Sequence, residues 1–170
     1  MKNIRNLFRY TICIILFLLT IGCPNDEEPE SLTGDWDITL KYVDPIDGTD
    51  IGTLTGIMEL THDGNKLSGE VSDQEGSTPL LSSCCVQDNN VAIDFYIDEF
   101  LHNLEGIINS SYNSMDGEIY IISENLKIEF GTWSASKSLK GASLISSSES
   151  KGDLTEKLYE ILLKYNNQIR

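Results

Sequence analysis

Two histidines, His62 and His102, are the only side chains of this chain suited by ordinary pKa to act as a general base near neutral pH. His62 borders a turn and His102 opens a strand. Neither stands in a motif with a serine or cysteine nucleophile, and no His-x-x-x-His or Cys-x-x-Cys spacing points to zinc. Both are expected as exposed polar residues. Cys84 and Cys85 are adjacent, so their Cα atoms lie about 3.8 Å apart, below the usual disulfide range, and strand neighbours point to opposite faces. The pair is read as one buried and one exposed free thiol, with a strained vicinal disulfide as the alternative in an oxidising compartment. Asp44, Asp47 and Asp50 crowd around Gly48, and carboxylates so spaced can coordinate calcium. Their spacing is not that of an EF-hand loop, and Asp, Pro and Gly together read as a turn. No catalytic residue, metal site or cofactor is assigned, and the chain is read as non-enzymatic.

Those residues are positioned by short alternating segments from Gly34 to about Lys137. Trp36, Ile38, Leu40 and Tyr42 share one face while Asp35, Asp37, Thr39 and Lys41 take the other, the period of two that marks a strand. Eight strands are predicted, near 35–43, 53–62, 66–73, 79–86, 90–97, 101–109, 115–123 and 126–136. Polar turns such as His62-Asp63-Gly64-Asn65-Lys66 join them, which implies an antiparallel meander. An apolar-polar-Gly-polar-apolar signature recurs at 32–36, 54–58, 67–71, 104–108 and 115–119, with its glycine on the apolar face. Glycine there lets a strand bend or another backbone approach closely, the curvature that closure needs. The fold class is therefore all-β, an eight-stranded antiparallel up-and-down barrel over 34–140, with an open sandwich as the competing arrangement.

The inner face is almost wholly aliphatic. Met58, Leu60, Ile93, Phe95, Ile108, Ile119 and Phe130 are the candidate contacts for a small apolar ligand, since a barrel of this size either fills itself with side chains or holds one small molecule. Beyond a Ser-rich connection at 141–152, Leu154, Leu158, Ile161, Leu162 and Tyr165 recur at helical spacing. They predict an amphipathic helix over 153–168, opened by Asp153 and Glu156 as a capping box, with its apolar stripe docked on the outside of the barrel or held for a partner.

At the N-terminus, Lys2, Arg5 and Arg9 precede an apolar run from Thr11 to Leu19, then Thr20-Ile21-Gly22 leads into Cys23. The run is about half the ~20 residues of a membrane-spanning helix and has the layout of an export signal, here 1–22. The cysteine directly after the small residue resembles the lipobox of bacterial lipoproteins, with Thr20 where that family usually has Leu. The resemblance implies that Cys23 is acylated, palmitate being one such chain, and becomes the mature N-terminus, placing the protein in the bacterial cell envelope, lipid-anchored in the outer membrane. An acidic tether follows at 23–33, resembling surface-export signals of some lipoproteins. Cleavage leaves 148 residues, enough for one domain, and removes three of 12 basic residues against 27 acidic ones, so the charge moves from -15 to -18. Such a body repels nucleic acid and anionic lipid surfaces, so membrane attachment falls to the acyl chains.

Gly34-Asp35-Trp36 resembles the Gly-X-Trp motif of lipocalins, whose architecture is likewise an eight-stranded barrel followed by a helix. The resemblance implies that Trp36 plugs the closed end and that Lys137, where that family has Arg, packs across it. Leu32 to Trp36 and Leu67 to Val71 are also similar to avidin-type barrels. Biotin pockets there need several tryptophans, whereas this chain has Trp36 and Trp133. The expected role is a tethered carrier of a small apolar molecule, or else a packed structural barrel that contacts another protein.

Overall fold

A computed structural model of the protein describes residues 31–123, 126–138 and 150–169. Cys23, the predicted signal at 1–22, the tether up to Glu30 and most of the Ser-rich connection lie outside the described residues.

Alternation organises the strands. β1 (Gly34–Val43) buries Trp36, Ile38, Leu40 and Tyr42 and turns the residues between them outward. The same parity runs through β2 (Asp50–Asp63), β6 (Asn90–Ile97), β7 (Phe100–Ile108) and β8 (Ser114–Ser123), is faint in β3 (Lys66–Ser72), and shifts by one in β9 (Leu126–Lys137), where Phe130 and Gly131 are both buried at a bulge opposite β8. Every neighbouring pair is antiparallel, and β1 pairs with both β2 and β9, which closes the sheet. The protein is a closed eight-stranded antiparallel barrel with one C-terminal helix.

The fourth stave departs from the expected single strand at 79–86. It is two pieces, β4 (Ser77–Pro79) on the end of β3 and β5 (Cys85–Gln87) on β6, joined through a bridge from Leu80 to Phe95. The outer-face Asp94 of β6 causes the break. Its carboxylate accepts hydrogen bonds from Ser83 Oγ and from Asn103 Nδ2, and its backbone N–H donates to Cys84 Sγ at 3.1 Å. These contacts hold residues 81–84 out of the ladder.

Two glycines on the inner wall are covered by an aromatic ring, while Gly56 borders a cavity beneath the C-terminal helix. Gly106 and Gly117 face each other across β7 and β8, with Trp133 paired to Gly117 from β9. The Trp133 ring lies over them, so that a Cβ on Gly106 would stand 2.7 Å from Trp133 Cζ2. Trp133 Nε1 donates to the Glu105 carbonyl at 3.1 Å, satisfying the indole within the core.

The helix α1 (Lys151–Ile169) starts earlier than predicted. Ser150 is its cap, accepting from the Asp153 N–H at 3.2 Å, and Asp153 sits in the first turn, where a carboxylate complements the helix dipole. Leu154, Leu158, Ile161 and Leu162 are buried, each worth about 1.5–3 kcal/mol relative to exposure. The stripe does not dock on the outer wall. Lys157 Nζ donates to the carbonyl of Ile51 at the start of β2, Thr155 Oγ1 donates to Asp98 in the β6–β7 turn, and Lys151 Nζ pairs with Asp73 just past β3. These partners all belong to one rim, so α1 closes that end of the barrel.

Candidate functional site

The opposite end is closed by Trp36. Its ring is fully buried, and Nε1 donates to the Leu32 carbonyl at 2.8 Å, drawing Leu32 into the core. Lys137 lies opposite Trp36 in the β1–β9 register, with Nζ 5.6 Å from the ring centroid while donating to the Ser31 carbonyl at 2.9 Å. A cation over an indole face is favourable even without the planar guanidinium.

Between the two stoppers, Met58, Leu60, Ile93, Phe95, Ile108, Ile119 and Phe130 are all buried in the same core. Among the described residues, the interior space beneath α1 is a cavity of about 30 Å³, lined by Ile38, Leu40, Leu54, Val71, Phe95 and Ile97 with Lys151 at its rim; of the seven candidates Phe95 borders it. That is room for one or two water molecules, against several hundred cubic ångströms in a typical ligand pocket.

Neither histidine is the exposed polar residue expected. His102 has no solvent exposure; it stands on the inner face of β7 in the same parity as Phe100 and Leu104. Its ring stacks on Phe95 and meets Tyr42 edge-on, both with centroids 5.8 Å away. His102 Nδ1 lies 3.0 Å from the Phe100 carbonyl, an acceptor only, so the neutral ring carries its proton on Nδ1. Among the described residues, neither Nε2, a buried acceptor, nor the Tyr42 hydroxyl has a hydrogen-bond partner. Burial pushes His102 down to about 4 and raises the Tyr42 phenol. His62 is half-buried: its Nδ1 accepts from the Leu32 N–H, and its own N–H donates to Thr33 Oγ1. It therefore helps to pin the N-terminal segment over the Trp36 plug.

Cys84 is buried and Cys85 exposed, and both are free thiols. Burial raises the Cys84 thiol, which keeps it protonated and poorly nucleophilic. Asp44 and Asp47 turn their carboxylates onto their own loop, accepting from the N–H groups of Ile46 and Thr49, each at 2.8 Å. Among the described residues no three His, Cys, Asp or Glu side chains are arranged to hold a metal ion.

Compared with known proteins, the sequence matches no family model and none of the curated proteins.

Proposed function

We propose that this protein is a lipid-anchored, non-enzymatic barrel of the bacterial cell envelope that works by contacting another protein through its outer surface. The observation that supports this reading is the side-chain-packed interior, where the space beneath α1 is a cavity of about 30 Å³, far below the volume of a typical ligand pocket. Apolar side chains on the α1 end are in keeping with it, since Val43, Ile46, Leu126, Tyr159 and Leu163 are all exposed there. The lipocalin resemblance supports the plug built from Trp36 and Lys137, but the aliphatic lining expected to hold a ligand is used here as core.

The anchor rests on the lipobox-like run ending in Cys23. Chain recovered from the membrane fraction is expected to begin at Cys23 and to carry the added mass of acyl groups, and Cys23→Ala is expected to move the protein to the soluble fraction. A wild-type chain that is soluble, or one whose Cys23 carries no acyl mass, contradicts the reading.

A further inference from the structure

The outer wall carries a trough that crosses the strands. The register places Cys85, Ala92, Glu105, Glu118, Thr132 and Lys41 side by side on successive strands from β5 around to β1. A second row runs parallel to it from Gln87 through Ile107 and Asp116 to Thr39. Between the rows lies the inner-facing row that contains Gly106 and Gly117. The surface there is concave, with a groove of about 470 Å³ over β5 to β8 that continues into one of about 320 Å³ over β8, β9 and β1; Asp116 and Gly117 line both. Six staves at about 4.8 Å spacing give a trough roughly 24 Å long, the span of about seven extended residues.

Its chemistry is unbalanced. Glu105 and Glu118 stand directly opposite each other on β7 and β8, and like charges so placed repel. Asp116 faces them across the trough from the neighbouring row and makes no ion pair among the described residues. The cation of Lys127 pairs with Glu105 at 2.6 Å and lies over the Tyr120 ring, whose hydroxyl donates to Glu118, and Lys41 lines the β1 end of the trough, so the carboxylates outnumber the cations on it by three to two. Ile107, at 60% exposed the most open large apolar side chain among the described residues, stands beside them. A basic side chain laid over Gly106 and Gly117 would meet carboxylates from both walls, and an apolar neighbour would cover Ile107.

We infer that this trough docks an extended, lysine- or arginine-bearing segment of another protein, its central cation seated between Glu105, Asp116 and Glu118. The inference rests on the reading that the barrel acts by outer-surface contact. Smaller cations such as polyamines would satisfy the charge but leave Ile107 bare, which favours a peptide.

The test uses the mature domain and a fluorescently labelled heptapeptide alternating arginine with threonine and leucine, followed by anisotropy and by backbone amide shifts. The paired change Asp116→Asn and Glu118→Gln is expected to weaken binding at least tenfold. It should not lower Tm, because it relieves repulsion. Ile107→Ser is expected to weaken binding several-fold without altering net charge. Asp35→Asn with Asp63→Asn, two exposed carboxylates at the Trp36 end, is the equal-charge control and should leave affinity within about twofold. Equal weakening by the control pair, or affinity that Ile107→Ser leaves untouched, would overturn the trough as a specific site. Peptide-induced shifts confined to α1 or another face would overturn it too, while leaving the contact role standing. Absence of any binding overturns the trough, and a demonstrated interior ligand overturns the contact role itself.

Discussion

Trp36→Ala is expected to destabilise the folded domain by about 3–5 kcal/mol, the range for emptying a fully buried aromatic site. Three features put it there. The ring has no solvent exposure, it accepts the Lys137 cation over its face, and its indole N–H is the hydrogen bond that draws Leu32 into the core. Truncation would leave a void at the closed end, free Leu32 and orphan the Leu32 carbonyl. For a domain of this size the fall in Tm should be roughly 10–15 °C. Trp36→Phe should lose less, since it keeps most of the volume and forfeits the hydrogen bond, about 1 kcal/mol. Thermal unfolding followed by far-UV circular dichroism measures both. A Trp36→Ala domain that melts within about 3 °C of wild type would show that the end is closed by something other than this ring.

The second large effect is on pH. His102 is neutral and wholly enclosed in the fold, with burial as the main cause of its depressed pKa, about 4. The bond to the Phe100 carbonyl and the charge of Asp98 favour the protonated form, while the charge of Lys151 adds to the depression. In the unfolded chain the same group titrates near the ordinary 6.5. Below that pH the unfolded state therefore binds the extra proton. The stability contributed by keeping His102 neutral is complete above about pH 6.5 and is lost as pH falls from there towards 4, some 3 kcal/mol in all. Carboxylates titrate in part of the same window, so the comparison that isolates the effect is with His102→Leu, measured by urea unfolding at several pH values. The wild type should lose stability relative to the variant by about that amount between pH 7 and 4. Parallel pH profiles would mean that His102 reaches solvent.

Much of the fold was legible because a barrel imposes one rule on every stave. Inner and outer residues alternate, and Trp36 to Tyr42 or Val91 to Ile97 display that parity without reference to anything else in the chain. The same rule carried the signal for His102, which shares parity with Phe100 and Leu104. Reading histidine by its polarity hid it. What the sequence withholds is long-range. The fourth stave breaks because Asp94, on the next strand, takes Ser83 and Cys84 out of the ladder, and no property of 81–84 alone announces that. The helical stripe of α1 declares that it must be covered but not by which surface, and the rim contacts of Lys151, Thr155 and Lys157 decide it. The inner glycines are the most instructive case. Their sequence pattern allows a bend or a close approach, and at Gly106 and Gly117 it is close approach, under the Trp133 ring. On the outer side of the same two glycines lies the trough, visible only once the register aligns Glu105 with Glu118.

The barrel interior is packed with side chains between Trp36 at one end and α1 at the other. Native mass spectrometry of residues 23–170, purified gently from an expression host, tests it most directly. The account predicts the bare polypeptide mass, and no adduct after incubation with a panel of fatty acids, alcohols and other lipophilic molecules. A co-purified or added apolar molecule retained at one-to-one stoichiometry would contradict it and make the barrel a carrier.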